Sequence, residues 1–515
     1  MSSTVWNEGY FTDATYTYGY YREINPVFQR FCLLLRGFAA QESATPQHCE
    51  LGFGQGVSFS IHAAANPGHY VGTDFNPTHA AHANQLVQAS GCGARVWDDS
   101  FEQLLGRTDL PQFDSISLHG IWTWISLDNQ KIVTEFARRH LKPGGYLYVS
   151  YNCFPGWSPA YPLRQLFALH DRYIPGGSDV TARVDSAMKF SQDLLAAGPA
   201  YLKAVPSLPE RLQQIVKQNR HYLAHEYLNH EWNCMYFSDV VEALGPAKLD
   251  YACTAVPLDV VESVNLTAEA RTFLASIAHP ILREQARDYF INQQFRKDLY
   301  MRGPITLSPT QRRHQLLQTR FVLLKHAPDV PLKVNTAAGE ATLQESVYRP
   351  VLDALASQQH APKTLRDMIA ALNGLTEPQV LEALIVLVGM GVAAPCQADA
   401  AARQVQKRCD QLNRHLIERA QYSSDIDALA SPVLGGGVAV GRFHQLFLLA
   451  RTLGRKTPPE WAQHAWQIIE SQGQRLLKDA KTLETPEENL AELNQQAADF
   501  AVKTLPVLKA LQVMV

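Results

Sequence analysis

Short apolar segments alternate with amphipathic segments through the first 160 residues. The apolar runs predict strands at residues 48–51, 69–73, 94–97, 113–118 and 146–151. Helical spacing of apolar positions predicts helices at residues 57–66, 77–90 and 127–140. Strands and helices that alternate at this spacing are typical of the α/β class and predict a doubly wound, Rossmann-like parallel sheet.

The pattern changes after residue 160. A helical stretch over residues 162–229 indicates an insertion, and the α/β alternation resumes with a helix at 237–244, a strand at 248–257, helical residues 268–292 and a strand at 295–301. Beyond a connector at residues 304–309, segments 320–325 and 332–343 are predicted to pair as a hairpin. Residues 348–394 then predict three helices and a short strand, which is typical of a winged-helix-like module, and residues 400–515 are helical apart from a break at Leu434-Gly435-Gly436-Gly437.

These patterns divide the chain into five segments. They are a first part of the α/β domain, a helical insertion, a second part of the α/β domain, a middle domain with the winged-helix-like module and a helical C-terminal domain, at residues 1–160, 161–231, 232–305, 306–398 and 399–515.

Composition excludes several classes of protein. The chain has 515 residues, 46% of them hydrophobic, and 46 Lys and Arg against 49 Asp and Glu, which gives a formal charge of −3. Such a chain is too apolar to be disordered and too near neutral to coat nucleic acid. The winged-helix-like module also has few basic residues, so we expect no nucleic-acid partner.

The cysteines, the N-terminus and the longest apolar run indicate the cellular compartment of the protein. The eight cysteines form no C-x-x-C pair, so we expect reduced thiols. The N-terminus lacks the pattern of a signal peptide, and the longest apolar run, residues 384–395, is too short to span a bilayer. The sequence therefore predicts a cytoplasmic protein without membrane insertion.

A glycine-rich turn is the main chemical signal. Glu50-Leu51-Gly52-Phe53-Gly54-Gln55-Gly56 follows the first strand and precedes a helix, where glycines let the backbone approach a ligand closely. Asp74 ends the second strand and can accept hydrogen bonds from ribose hydroxyls. Asp99 and Ser100 follow the third strand, where an adenine could be bound. The pattern predicts a nucleoside site.

The spacing of the glycines distinguishes two kinds of nucleoside ligand. Dinucleotide sites normally have G-x-G-x-x-G, whereas this chain has G-x-G-x-G directly after Glu50-Leu51. This form resembles the class I S-adenosylmethionine-dependent methyltransferases, and the resemblance extends to Asp74, Asp99 and the Lys142-Pro143-Gly144-Gly145 turn. It implies the cofactor S-adenosyl-L-methionine, held by residues that fall into three groups. Glu50, Gly52, Gly54 and Gly56 would lie by its amino-acid part, Asp74 with Phe75 and Asn76 by its ribose, and Asp99, Ser100 and Phe101 by its adenine, with His119 nearby.

A narrower resemblance covers most of the chain. Residues 119–126 (HGIWTWIS), 150–157 (SYNCFPGW), 225–229 (HEYLN) and 295–298 (FRKD) resemble bacterial methyltransferases with a methyltransferase regulatory domain. The best understood members of that group are protein-lysine methyltransferases that modify outer-membrane proteins. The resemblance implies a protein substrate, with an outer-membrane or surface protein as one candidate, and a homodimer formed through the helical insertion.

Methyl transfer itself requires alignment of the acceptor and exclusion of water, and a lysine amine must first lose its proton. His119, after the fourth strand, could accept a proton or orient the acceptor, and Asn152 could orient an amine. Aromatic side chains after strands four and five could form a channel for the amine together with the N-terminal tyrosines. The candidates for this channel are Trp122, Trp124, Tyr151, Trp157 and Tyr16.

Two features allow a structural and a functional interpretation. Tyr10, Phe11, Tyr16, Tyr18, Tyr20 and Tyr21 could attach an N-terminal arm to the domain or form an aromatic wall over a pocket. His221, His225, Glu226 and His230 raise the question of a metal, but the order H-E-x-x-H is absent and we expect no metal site.

Three functions remain open from the sequence alone. The first is a methyltransferase that acts on a protein lysine. The second is a methyltransferase that acts on a small molecule or a glycan. The third is a degenerate methyltransferase fold that serves as a scaffold, which the C-terminal part without a chemical motif would suit.

Overall fold

The protein is described by a computed structural model over residues 16–40, 43–174, 179–218, 220–229, 231–479 and 481–513. Tyr10 and Phe11 lie outside the described residues, as do His230 and the side chain of His221.

The first segment contains six strands and five helices. They are α1 (Pro26–Leu35), β1 (Phe38–Ala39), β2 (Gln47–Leu51), α2 (Val57–Ala65), β3 (His69–Thr73), α3 (Pro77–Ser90), β4 (Arg95–Trp97), α4 (Phe101–Leu105), β5 (Phe113–Leu118), α5 (Leu127–His140) and β6 (Leu141–Asn152). The strands and helices predicted here are confirmed to within two residues, except that β6 begins five residues early. The Lys142–Gly145 turn lies within that early part, where the pairing with β5 shifts its register.

A helical insertion follows β6. Its helices are α6 (Tyr161–Tyr173), α7 (Val180–Ala196), α8 (Tyr201–Ala204), α9 (Leu208–Val216) and α10 (Arg220–Leu228). They have a hydrophobic core of their own, which includes Phe167, Val184 and Leu212. The five helices therefore pack around one hydrophobic cluster, to which Trp157 and Trp232 from the flanking residues also belong.

The α/β pattern resumes after the insertion, as predicted. The elements are α11 (Phe237–Leu244), β7 (Leu249–Thr254), α12 (Glu262–Asn265), α13 (Ala268–Ala275), α14 (Pro280–Ile291), β8 (Phe295–Arg302) and β9 (Ile305–Thr306). The helical stretch expected at 268–292 is two helices, because His279 caps a new helix that has Pro280 in its first turn.

One seven-stranded sheet joins the two parts of the α/β domain. Its strand order is β4-β3-β2-β5-β6-β8-β7. Strands β2 to β6 pair in parallel, whereas β8 runs antiparallel to both of its neighbours. The doubly wound, Rossmann-like fold predicted from the sequence is confirmed. Because β2 and β3 are parallel neighbours, the turns after these two strands open at the same edge of the sheet.

The middle segment corrects one prediction. Its elements are α15 (Pro309–Gln318), β10 (Arg320–Leu323), β11 (Lys333–Thr336), β12 (Gly339–Thr342), α16 (Glu345–His360), β13 (Lys363–Thr364), α17 (Leu365–Ala371), α18 (Glu377–Gly389) and β14 (Ala393–Cys396). The hairpin predicted between residues 320–325 and 332–343 is wrong. Strand β10 lies between β13 and β14, and residues 333–342 form a hairpin by themselves. Three helices and a three-stranded sheet are compatible with the winged-helix-like module.

The C-terminal segment is helical with two small hairpins. Its elements are α19 (Asp399–Arg419), β15 (Ala428–Ser431), β16 (Gly436–Ala439), α20 (Arg442–Thr452), α21 (Pro458–Ser471), β17 (Leu477–Lys478), β18 (Lys481–Thr482), α22 (Pro486–Asp499) and α23 (Leu505–Ala510). The predicted break at residues 434–437 covers the end of the turn between β15 and β16 and the first two residues of β16.

This segment shares its core with the α/β domain. All nine residues of α2 are buried. Val57 and Ile61 of α2 belong to the same hydrophobic cluster as Leu412 and Leu416 of α19. Helix α2 is therefore enclosed between the sheet on one side and the C-terminal helices on the other.

All eight cysteines are free thiols, as predicted. Over the described part of the chain, no helix combines the length and the apolar character that a bilayer crossing needs.

Candidate active site

A deep cleft opens where β2, β3 and β5 end. Its empty space amounts to about 1180 Å³, including the open mouth. Most of the candidate residues from the sequence line this cleft: Tyr16, Glu50, Gly52, Gly54, Gly56, Asp74, Phe75, Asp99, Ser100, Phe101, His119 and Trp124. The cleft therefore brings together the glycine turn and the acidic ends of the second and third strands.

The glycine turn is shaped by close approaches that exclude side chains. Gly54 and Gly56 have φ values of 58° and 72°, which favour glycine. A Cβ atom on Gly56 would lie 2.3 Å from the Cβ of Ala83 in α3. A Cβ on Gly54 would lie 3.3 Å from the ring of Tyr16, which covers the turn on the cleft side. The turn is thus held between α3 and the N-terminal segment.

Asp74 is the acceptor at the centre of this turn. Its Oδ2 accepts the backbone N–H of Gly54 at 2.8 Å, which ties β3 to the glycine turn. Its Oδ1 accepts the N–H of Asn76 at 3.1 Å and lies 3.0 Å from Nδ1 of His79. Each carboxylate oxygen has two acceptor sites, so the carboxylate retains capacity for a ligand hydroxyl. Asn76 itself lies outside the cleft lining, where its side chain caps α3 by accepting from Thr78.

Glu50 is buried at the end of β2. Burial, followed by the nearby charge of Asp74, raises the pKa of the Glu50 carboxyl to about 8. An unpaired buried carboxyl of this kind stays protonated near neutral pH unless a cation approaches it. The position is therefore suited to a positively charged part of a ligand.

The third strand ends in a second acidic group. Oδ2 of Asp99 accepts from Nη1 of Arg107 at 3.0 Å, and the guanidinium of Arg107 also lies over the ring of Trp97. Ser100 caps α4 by accepting the N–H of Gln103. These contacts fix the turn that carries Asp99, Ser100 and Phe101 along one side of the cleft.

His119 lies against an aromatic wall. Its Nδ1 is 2.8 Å from the hydroxyl of Tyr148, and its ring contacts the ring of Tyr21 with centroids 4.1 Å apart. Burial lowers the pKa of His119 to about 4, and the opposing effect of Glu23 does not offset it. The imidazole is therefore neutral at physiological pH and a weak base.

Four other candidate residues do not line the cleft, so three members of the predicted aromatic channel for the amine are absent from it. Trp122 and Tyr151 are fully buried in the core beside the sheet. The Tyr151 hydroxyl donates to Asp298 at 2.6 Å. Asn152 accepts the indole N–H of Trp157 at 3.0 Å, so both side chains are engaged in packing. Trp124 and Tyr16 are the members of the predicted channel that do line the cleft.

Tyr21, one of the N-terminal tyrosines named as a possible aromatic wall, lines the cleft and contacts His119. Two other lining residues were not predicted as site residues: His79, which contacts Asp74, and Ile121, which lies so near Gly52 that a Cβ there would be 2.5 Å from its side chain. His79 follows Asp74 by five residues in the next helix, a spacing that could have indicated the contact. Ile121 gives no comparable signal, because its role depends on the turn after β5 folding back over β2.

The charge of the lining is uneven. Acidic side chains are contributed by Glu50, Asp74, Asp99 and Glu231, and the described lining residues include no lysine or arginine. An anionic acceptor would find no cationic partner in this lining. Across the residues that the structure describes, no group of three His, Cys, Asp or Glu side chains could hold a metal ion.

Two family models match the chain. A methyltransferase domain matches residues 49–147, which contain the glycine turn, Asp74 and Asp99. A predicted methyltransferase regulatory domain matches residues 219–302.

Two of three similar proteins match nearly the whole chain, and the third matches about two thirds of it. An uncharacterised protein of Synechocystis sp., sll1526, is 37% identical over 98% of this chain and 99% of its own length. The uncharacterised protein RP789 of Rickettsia prowazekii is 24% identical over 64% of this chain and 59% of its own. The structure of PKMT2 from Rickettsia typhi in complex with AdoHcy matches with a TM-score of 0.69 at 18% identity, over 97% of this chain and 99% of that one, which shows a common fold.

Proposed function

Because this chain belongs to the family of S-adenosylmethionine-dependent methyltransferases that carry a methyltransferase regulatory domain, we propose that it methylates the side-chain amine of a lysine in a protein. Its cofactor is S-adenosylmethionine. The cofactor supplies a methyl carbon that is already activated on a sulfonium, so the protein has mainly to align the acceptor and exclude water.

The residues of the cleft fit this cofactor. In the proposed arrangement Glu50 and the glycine turn hold the amino-acid part, where the protonated carboxyl of Glu50 would ionise beside an ammonium group. Asp74 accepts from the ribose hydroxyls with the acceptor capacity that Gly54, Asn76 and His79 leave. The turn with Asp99, Ser100 and Phe101 flanks the adenine. Glycine is required in this turn because a Cβ at Gly52, Gly54 or Gly56 would meet Ile121, Tyr16 or Ala83.

The lining of the cleft is the observation that carries the choice of acceptor. Tyr16, Tyr21 and Trp124 present aromatic surfaces, and the charged groups beside them are acidic. Aromatic faces attract ammonium groups, and acidic groups raise their local concentration. An amine acceptor fits this lining better than a carboxylate or a phosphate does. The resemblance to bacterial protein-lysine methyltransferases supports a lysine as the source of the amine.

Deprotonation of the amine is left to desolvation in this proposal. The acidic groups of the lining favour the charged ammonium, whereas desolvation against the aromatic side chains and the positive charge of the cofactor sulfonium favour the neutral amine. In this proposal the second pair of effects prevails, and the amine loses its proton to water. His119 is a weak base with a pKa of about 4, and its Nδ1 is engaged with Tyr148. We therefore assign His119 an orienting role beside Tyr21.

Incubation of the enzyme and radiolabelled S-adenosylmethionine with fractionated proteins and small solutes from its host tests the proposal. We expect label in protein bands, and methyl-lysine after acid hydrolysis. Asp74→Ala should abolish the label. Label confined to small molecules or glycans would refute the lysine proposal. AdoHcy binding without turnover on any fraction would instead favour the scaffold alternative.

We also propose a homodimer formed through the insertion at residues 161–231, an outer-membrane or surface protein as the substrate, and a cytoplasmic site of action. The first two proposals rest on the resemblance in sequence, and the third rests on the eight free thiols. Light scattering at micromolar concentration should give twice the mass of the chain, and a monomeric mass would contradict the dimer. Purified surface proteins of the host, tested by intact-mass measurement, would gain multiples of one methyl group.

A further inference from the structure

The N-terminal segment, residues 16–25, presents different side chains to its two sides. Tyr16, Tyr21 and Ile24 line the cofactor cleft. The backbone of the segment is attached to α2, because the Ser58 hydroxyl accepts the N–H of Tyr21 at 2.8 Å and donates to the carbonyl of Gly19 at 3.1 Å. The segment is therefore one wall of the cleft.

The opposite side of this wall is held by the middle and C-terminal segments. Arg22 donates to the carbonyls of Val388 and Gly389, at 2.8 and 3.0 Å, at the end of α18. A guanidinium is favourable at a helix C-terminus, where carbonyls lack partners within the helix. Asn25 donates to the carbonyl of Leu434 at 3.0 Å, from the turn between β15 and β16.

Tyr20 makes the tightest of these contacts. Its hydroxyl accepts the N–H of Gly437 at 2.7 Å, and its ring lies against the start of β16. A Cβ on Gly437 would be 2.8 Å from the Tyr20 ring, and one on Gly436 would be 2.6 Å from its hydroxyl. The run of glycines in the C-terminal segment thus creates the space that Tyr20 occupies. Neither glycine has a positive φ, so the reason for them is this close approach.

We propose that the middle and C-terminal segments complete the cofactor site by holding residues 16–25 against the cleft, with Tyr20, Arg22 and Gly437 as positioning residues. They act through Tyr16 and Tyr21 and do not line the cofactor cleft themselves. This assigns a role in cofactor binding to a part of the chain that has no chemical motif. The proposal rests on the cofactor site and is independent of which acceptor is methylated.

Two glycine variants of the full-length protein test it. Gly437→Ala places a methyl group against Tyr20, whereas Gly441→Ala lies in the same segment, has an ordinary φ of −65° and meets nothing within 4 Å. We expect Gly437→Ala to weaken binding of AdoHcy roughly tenfold, the ratio that corresponds to about 1.4 kcal/mol. Gly441→Ala should bind within about twofold of wild type. Hydrogen exchange at residues 16–25 should accelerate in the first variant alone.

The contact of Arg22 with the end of α18 provides the second test. Arg22→Ala should also weaken AdoHcy binding, and Arg22→Lys should restore part of it. Arg349→Ala is the matched control, because Arg349 donates to the carbonyls of Ala327 and Val330 within the middle segment. It should lower the thermal midpoint without changing the affinity.

Wild-type affinity and wild-type exchange at residues 16–25 in Gly437→Ala would overturn the proposal. If Gly437→Ala does not fold, Tyr20→Phe decides, since it keeps the ring and removes the hydroxyl contact with Gly437. Unchanged binding in both Tyr20→Phe and Arg22→Ala would then overturn it. Neither result bears on the lysine acceptor, because only AdoHcy binding is measured.

Discussion

A single carboxylate organises the cofactor turn at the residue scale. Asp74 accepts from Gly54, Asn76 and His79, so its removal leaves three donors without their acceptor. We expect Asp74→Ala to weaken AdoHcy binding at least about 100-fold, since charged hydrogen bonds are worth roughly 1.5–3 kcal/mol each. Asp74→Asn should lose less, because its amide oxygen still accepts. Calorimetry measures both, with Asp193→Ala, which removes an exposed partner of Lys189, as the control.

A second prediction at the residue scale concerns Glu50 and the pH dependence of cofactor binding. Its pKa of about 8 means that the carboxyl is mostly protonated at pH 7 in the free protein. A cationic group bound beside it favours the ionised form, so binding should release a proton at pH 7. Affinity should therefore rise with pH and level off above about pH 8, by at most roughly tenfold per pH unit below it.

The released proton can be counted by calorimetry in two buffers of different ionisation enthalpy. Glu50→Gln should bind more weakly and show the same heat in both buffers, once the ligand's own titration is subtracted. Equal heats for the wild type at pH 7 would contradict the assigned place of Glu50.

Residue types in the sequence predict polar positions in this cleft better than aromatic ones. A glycine turn followed by an acidic residue at the end of the next strand is a combination typical of nucleoside sites, so Gly54 and Asp74 could be placed from the pattern. An aromatic residue at a strand end packs equally well in a core or along a cleft. Tyr151 and Trp122 are core residues, whereas Trp124 lines the cleft, and their sequence contexts do not differ in any way that separates them.

At the scale of secondary-structure elements, the turn between β2 and α2 lies directly against helix α3. Gly56 is left-handed, and its Cα faces Ala83 in α3 at a distance that leaves no room for a methyl group. Gly56→Ala should cost roughly 2–5 kcal/mol, from about 1–2 for the backbone and about 1–3 for overpacking. Gly93 also has a positive φ, but a Cβ there would meet nothing within 4 Å. Gly93→Ala should therefore cost only the backbone contribution to the free energy of unfolding. Denaturant unfolding of the two variants separates the two contributions, and equal losses would exclude the packing of α2 on α3 as a cause.

Local patterns predicted the elements with their neighbours in sequence but failed where pairing is long-range. Strand β10 was placed correctly, yet its partners β13 and β14 lie about 40 and 70 residues further along. The nearer segment, 332–343, has a two-residue turn at Ala337-Ala338 without the Asn-Gly signal of a hairpin. A strand was therefore expected where the structure has two strands and a turn.

The α/β domain and the C-terminal segment are coupled at the scale of the whole molecule. Sequence patterns suggested a boundary at residue 398, but a shared core has no signature along the chain. The burial of all nine residues of α2, Ser58, Ser60 and His62 included, has its explanation in this core, because one face packs on the sheet and the other on α19.

A chain that ends at residue 398 should therefore fail as a methyltransferase although it contains every residue that lines the cofactor cleft. Without α19, side chains such as Val57 and Ile61 would be exposed, at a cost of about 1.5–3 kcal/mol for each large one. Tyr20 would also lose Gly437. We expect aggregation on size-exclusion chromatography, or a monodisperse fragment that does not bind AdoHcy. A full-length Leu412→Asp variant should show the same loss, since it disrupts the same cluster without removing residues. A fragment that binds as tightly as the full chain would show instead that the α/β domain is complete on its own.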